Sequence, residues 1–188
     1  MRIPKLRAVA VAFLLASLQA CAPGPVEQAN RLAENSLPAA YDFAVAWEAK
    51  STSPEERCGA ALLAGAYAMR MDQYERARQH LRTATSTEPG NPAIVQISAW
   101  GMLGTIDHFD ALDRRIAATK AGKAEPPAEV SALLASADSN LAKAIEIAER
   151  SGDKDEAAHW AAQRKAWGLW GKAPASEAPA ARSPASSR

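Results

Sequence analysis

Apolar residues recur at intervals of three and four along most of this chain, the spacing that places them on one face of a helix. The clearest example lies at 127–151, where an apolar seam keeps a spacing of four and three. Its members are Val130, Leu134, Ala137, Leu141, Ala144 and Ala148. No stretch alternates apolar and polar residues for long enough to indicate a strand. The pattern therefore predicts an all-α fold in which the 127–151 helix is the longest.

Start and stop signals divide this pattern into separate helices. Ser53 is a candidate N-cap because Pro54, which suits the first position of a helix, follows it. Gly152 is a candidate C′ residue, and Asn91 is a candidate cap for the helix that follows it. Residues 26–34 can form one or two further turns. The predicted helices cover residues 38–50, 54–71, 73–87, 92–103, 107–120, 127–151 and 154–170.

The first twenty residues have a different composition. Residues 1–7 carry three basic side chains and no acidic one, and residues 8–20 are mostly apolar. This apolar run is too short to span a bilayer as a helix but suits the core of a secretory signal. The stretch 18–21, Leu-Gln-Ala-Cys, resembles the lipobox of bacterial lipoproteins. That resemblance implies cleavage before Cys21 and acylation of Cys21; the alternative is a plain secretory signal that leaves Cys21 as an ordinary thiol.

The same resemblance implies where the protein resides. Ala22 follows the cysteine, and in sorted lipoproteins the usual signal for inner-membrane retention is an Asp at this position, so the outer membrane is expected. Each buried CH₂ of an acyl chain contributes about 0.8 kcal/mol, so a multiply acylated Cys21 would hold the domain firmly. Three of the 22 Lys and Arg residues precede residue 20, and all 21 Asp and Glu residues follow it. The chain without residues 1–20 therefore has a formal charge of −2. That balance argues against a nucleic-acid partner and against electrostatic binding to anionic lipid.

Composition suggests four segments. They are a signal peptide at 1–20, a tether at 21–36, a helical domain at 37–170 and a tail at 171–188. Thirteen of the eighteen tail residues are Ala, Pro or Ser. The tail has no aromatic residue and no aliphatic residue larger than Ala, so it cannot bury enough surface to offset chain entropy, and we expect it to be disordered.

Small residues repeat at a lag of 34 within the helical domain. Gly65 corresponds to Ala99, Ala77 to Ala111 and Ala84 to Ala118. The segment 72–77, Asp-Gln-Tyr-Glu-Arg-Ala, resembles the link between the paired helices of a tetratricopeptide repeat. The resemblance covers about residues 57–170 and implies a short α-solenoid of antiparallel helix pairs, with one well-matched unit and two degenerate ones. A plain helical bundle with accidental alanine spacing is the alternative.

Tetratricopeptide domains hold a partner segment in a groove lined by the first helix of each unit. Carried over by position, the resemblance assigns to that groove Leu62, Ala66, Met69, Arg70, Gln96, Trp100 and Leu103. Trp160, Trp167 and Trp170 form a second feature, since tryptophan is frequent where binding energy concentrates. These three rings can equally seal the last helix against the others.

The sequence offers no chemistry beyond this. His80, His108 and His159 have no Cys or carboxylate at the spacing of a metal site, and no nucleophile or phosphate-binding motif occurs. We therefore expect no catalytic residue, no metal and no cofactor. Once Cys21 is acylated, Cys58 has no intramolecular partner, and its position among alanines and leucines indicates a small buried side chain.

These observations predict an outer-membrane lipoprotein that faces the periplasm and binds a protein partner. The expected role is that of a scaffold or adaptor in envelope assembly, secretion or pilus biogenesis, where lipoproteins of this architecture recur. A lipid-anchored immunity or inhibitor protein acting on one toxin or enzyme is the second hypothesis. An envelope hydrolase is the third, and the missing nucleophile and base make it the weakest.

Overall fold

The computed structural model describes residues 23–122 and 128–168, and the regular secondary structure within these ranges is entirely helical. The all-α prediction is therefore confirmed for this part of the chain. The predicted signal peptide at 1–20, Cys21 and the predicted tail at 171–188 lie outside it, as does Trp170. The helices are α1 (Pro23–Asn35), α2 (Leu37–Lys50), α3 (Pro54–Arg70), α4 (Tyr74–Ala84), α5 (Ala93–Lys120), α6 (Ala128–Ser151) and α7 (Lys154–Ala166).

Local capping and positive-φ residues explain several helix ends. The Ser53 hydroxyl accepts a hydrogen bond from the amide of Glu56 at 3.2 Å, as its place before a proline predicts. Asp153 caps α7 in the same way. Gly152 has a φ of 80° and ends α6, and Asp72, with a φ of 58°, separates α3 from α4. The sequence places these four boundaries correctly to within a residue or two.

Asn91 has a different role from the one predicted. Pro92 is the N-cap residue of α5, and no side chain caps that end. The Asn91 amide group instead donates to the carbonyl oxygens of Ala84 at 3.0 Å and Ser86 at 2.6 Å. Asn91 therefore satisfies backbone groups at the end of α4, where the helix leaves carbonyl oxygens without partners.

The predicted break between the helices at 92–103 and 107–120 is wrong. Residues 93–120 form one helix of 28 residues, so α5, rather than the 24-residue α6, is the longest helix described. Gly104 lies in the middle of α5 and does not end it, because the position is buried against α6. A Cβ at Gly104 would lie 2.8 Å from Cγ of Leu141, so the missing side chain permits a close helix contact.

The segment 21–36, interpreted as a tether, is mostly helical. Residues 23–35 form α1, which packs against α2 after a connection of one residue. Val26 and Ala29 of α1 are buried, and Asn30 accepts a hydrogen bond from the Tyr67 hydroxyl of α3 at 3.1 Å. These contacts place α1 within the folded unit.

Each helix packs mainly against its neighbours in the sequence, and connections of one to eight residues join them. Such short connections make consecutive helices run up and down. The seam predicted in α6 faces this core: all its members are buried except Leu134, which is half-buried. The core is contiguous from α1 to α7.

Glycines mark the closest contacts between helices. A Cβ at Gly65 of α3 would lie 2.6 Å from Cγ of Leu81 in α4, so these two helices approach each other closely at this glycine. Gly101 of α5 similarly accommodates the indole of Trp160 in α7. Because α5 is unbroken, the second predicted unit is not a pair of short helices, and α5 pairs with α6 instead.

Candidate partner-binding cleft

A cleft of about 450 Å³ opens between α4 and α6, and α5 forms its floor. Its lining combines three apolar side chains with a larger set of charged and polar side chains. The lining residues are Glu75, Arg78 and Arg82 of α4, Trp100, Leu103, Asp107, Asp110 and Arg114 of α5, and Leu133, Ser136 and Asn140 of α6.

Arg78 is the centre of this network. Its guanidinium donates to Asp107 at 3.0 Å, to Asp110 at 2.9 Å and to Glu75 at 2.6 Å, through Nε, Nη2 and Nη1 respectively. Arg78 and Asp107 are both more than nine-tenths buried. The planar guanidinium can satisfy three carboxylates because it presents five donors in fixed directions.

Asp107 connects the network to α6. Its second oxygen accepts hydrogen bonds from the Ser136 hydroxyl at 2.6 Å and from the Asn140 amide at 3.1 Å. One carboxylate in the middle of α5 is therefore bound by both walls of the cleft. Moving α4 or α6 away from α5 would break these contacts and leave the buried Asp107 charge uncompensated, which is costly. The Asp107 contacts therefore fix the positions of α4 and α6 relative to α5.

Electrostatics within the cleft follow from these contacts. Burial acts to lower the pKa of Arg78, but the hydrogen bonds with Asp110 and Asp107 outweigh it and raise that pKa. Burial acts to raise the pKa of Asp110, but hydrogen bonds from Arg114 and Arg78 outweigh it and lower that pKa below 3.8. Arg114 also donates to Glu129 at 2.6 Å, which extends the network to the first turn of α6.

Trp100 lies half-buried at the other end of the cleft floor, next to the buried Leu103. The Nζ atom of Lys143, in α6, is 4.1 Å from the centroid of the Trp100 ring. Arg82 reaches the cleft from the opposite wall. This end therefore combines an aromatic surface, which suits contact with a partner side chain, with two exposed cations.

The groove predicted by resemblance is only partly formed. Leu62 and Ala66 of α3 are fully buried in the core, and Met69, which is 7% exposed, is not among the residues that line the cleft. The reason is that α3 is enclosed by α2, α4 and α5. Arg70 is exposed at the end of α3, away from the cleft lining. Of the predicted residues in α5, Trp100 and Leu103 line the cleft, whereas the Gln96 side chain donates to the Asn91 carbonyl oxygen at 3.1 Å.

The tryptophans near the C-terminus pack against α5. Trp160 is 1% exposed and lies over Gly101. Trp167 stacks on His108 with ring centroids 4.0 Å apart and an interplanar angle of 2°. Burial lowers the pKa of His108, which favours the neutral ring. Both described tryptophans thus seal α7 against the other helices.

His80 has partners that its sequence neighbourhood does not indicate. Its Nδ1 atom is 2.7 Å from a carboxylate oxygen of Glu48, and its Nε2 atom is 3.1 Å from the Tyr41 hydroxyl. Glu48 and Tyr41 are seven residues apart in α2, which puts them on one helix face, so this group connects α2 to α4. Cys58 is buried as predicted, and burial raises the pKa of its thiol.

The central ion network was not predicted from the sequence. Arg78 and Asp107 are 29 residues apart, so no local spacing in the sequence indicates that they are paired. A signal was nevertheless present: Asp107 follows an apolar run from 101 to 106, and a charged residue on the buried face of a helix requires a partner.

Within the part of the chain that the structure describes, none of the helices combines the length and the apolar composition needed to cross a membrane. No group of three or more His, Cys, Asp or Glu side chains within residues 23–122 and 128–168 is arranged to hold a metal ion. Comparison of the chain with protein-family models, with curated proteins and with solved structures finds no match.

Proposed function

We propose that this protein is an outer-membrane lipoprotein, anchored on the periplasmic side through acylated Cys21, that binds a protein partner as a scaffold or adaptor. The observation that carries the binding role is the cleft between α4 and α6. Its walls are fixed by the Arg78–Asp107 network, and Trp100 and Leu103 form an apolar surface at one end of its floor. A preformed concave site with an aromatic residue is the usual form of a recognition site.

In this proposal the protein binds its partner and does not catalyse a reaction. The carboxylates of the cleft hold neighbouring side chains: Asp107 and Asp110 both accept from Arg78, and each accepts from at least one further side chain. A carboxylate whose oxygens are occupied in this way serves poorly as a base for a substrate. The helical repeat is part of the same proposal, because stacked helices provide extended surfaces for partner segments.

Two experiments test the two halves of this proposal. For the anchor, cells are labelled with a palmitate analogue and fractionated; the protein should carry the label in the outer membrane, and Cys21→Ser should abolish both labelling and attachment. A Cys21→Ser protein that stays acylated and membrane-bound would contradict the lipoprotein assignment.

For the binding role, a photo-crosslinking amino acid is placed at Leu133, on the cleft wall, and separately at Lys165, on the exposed face of α7. We expect a discrete crosslinked partner from position 133 in intact cells, its loss in Trp100→Ala, and none from position 165. Identical patterns from both positions, or no product from position 133, would refute a cleft that binds protein.

A further inference from the structure

The charged side chains in and beside the cleft differ in whether they form ion pairs. Each of the three lining carboxylates accepts a hydrogen bond from Arg78. Arg82, which lines the cleft, and Lys143, which lies beside it over the Trp100 ring, form no ion pair with a carboxylate among residues 23–122 and 128–168. The nearest acid along α6, Glu146, pairs with Arg150. The Trp100 end of the cleft therefore has two cations that are not paired with an acid in the described part of the chain.

Helix register places these two cations at the same end of the cleft. Arg78 and Asn140 both contact Asp107. Arg82 lies one turn beyond Arg78 in α4, and Lys143 lies three residues beyond Asn140 in α6. Because α4 and α6 both run antiparallel to α5, both steps lead in the direction of Leu103 and Trp100. The position of Lys143 over the Trp100 ring agrees with this register.

We propose that the cleft binds an extended peptide segment of the partner that contains an Asp or Glu next to an apolar residue. The carboxylate is held between Arg82 and Lys143, and the neighbouring side chain contacts Trp100 and Leu103. Guanidinium and ammonium groups suit a carboxylate because charge-assisted hydrogen bonds are the strong ones. From Trp100 to Arg114, α5 rises about 21 Å, which roughly six residues of extended chain would span at about 3.3 Å each.

This inference rests on the proposed protein-binding function and specifies the chemistry of the partner. The test uses the full chain purified in detergent and three fluorescein-labelled, amidated heptapeptide libraries with leucine at the fourth position. The fifth position is Glu in the first library, Gln in the second and Lys in the third, and binding is followed by anisotropy. Arg82→Ser combined with Lys143→Ser is compared with Lys154→Ser combined with Lys165→Ser, a control on α7 that removes the same charge.

We expect the Glu library to bind about tenfold more tightly than the Gln library and the Lys library to bind least. The cleft variant should lose that preference, whereas the α7 control should keep it, and added salt should weaken it. Binding without a preference for Glu, or equal losses in both double variants, would overturn the proposal. No binding by the Glu library would also overturn it; if crosslinking from position 133 still captures a partner, the protein-binding function survives.

Vesicles containing phosphatidylglycerol provide the remaining arm of the test. If the full chain without the acidic library binds these vesicles through Arg82 and Lys143, and the Glu library does not compete, the site recognises a lipid headgroup and the peptide proposal fails. We expect instead that the cleft variant and the α7 control associate with such vesicles equally.

Discussion

Replacing Gly101 with alanine tests whether Trp160 seats α7 directly on the backbone of α5. A Cβ at this position would lie 2.2 Å from Cζ2 of the indole and 2.4 Å from two further ring atoms. Optimal separation of carbon atoms is about 3.5–4.0 Å, so the ring would have to move by roughly 1.5 Å. Trp160 is 1% exposed, so the ring cannot move without opening the contact between α5 and α7.

The expected magnitude comes from two opposing effects. Overpacking a core costs about 1–3 kcal/mol, whereas alanine stabilises a helix interior by about 1 kcal/mol relative to glycine. Gly59, inside α3, is a matched control because a Cβ there would meet no atom within 4 Å. Both variants gain the same helix propensity, so that gain cancels when they are compared. The free energy of unfolding of Gly101→Ala should then be about 1–3 kcal/mol below that of Gly59→Ala.

The assay is urea unfolding followed by circular dichroism on the chain from Ala22 onward, supported by thermal melts, in which each kcal/mol shifts Tm by about 2–4 °C. A double-mutant cycle completes the test: in a Trp160→Ala background, Gly101→Ala should stabilise the protein as Gly59→Ala does. If Gly101→Ala stabilises the protein that still has Trp160, the described seat of α7 on α5 is refuted.

Three further predictions concern ionisable groups. The folded-state pKa of Asp110 lies below 3.8, so the stability that this carboxylate contributes is present above about pH 4 and is lost as the pH falls through the folded value. Asp110→Asn should therefore reduce the loss of unfolding free energy at acid pH. An unchanged dependence of the unfolding free energy on pH would contradict the network. Burial raises the pKa of Glu156 above 4.5, so its ionised form opposes folding at neutral pH. Glu156→Gln should raise the unfolding free energy at pH 7 more than at pH 4. Equal effects at the two pH values would contradict the burial of this carboxyl group. Cys58 is buried with a raised thiol pKa, so in a Cys21→Ser protein it should react with a maleimide only as fast as the fold opens. Mass spectrometry against a urea-unfolded control measures this rate. Rapid reaction of the native protein would show that the Cys58 thiol is accessible.

Helix boundaries followed from local chemistry, and so the sequence predicted most of them. Ser53 and Asp153 cap helices through bonds to residues three positions away, and the seam of α6 is a periodic pattern. The continuity of α5 differs from the prediction of separate helices at 92–103 and 107–120, and Gly104 lies in the predicted break. Gly104 permits close packing against Leu141, which lies 37 residues further along the chain. Rules that use only neighbouring residues do not predict such a contact.

The candidate site depended even more on long-range contacts. Resemblance to a repeat assigns Trp100 and Leu103, which line the cleft, and also Leu62 and Ala66, which do not, to the same groove. Those two side chains are buried because α3 is enclosed by other helices, which depends on the packing of the whole chain. The ion network around Arg78 joins three helices, and its members can be paired only once the helix order in space is known.

The most direct test of a partner-binding cleft is a structure of the complex captured through a crosslinker at position 133. The account predicts an extended segment of the partner lying between α4 and α6, with side chains in contact with Trp100 and Leu103 and a carboxylate beside Lys143. A partner seated on α1 or on the outer face of α7, with the cleft unoccupied, would contradict it.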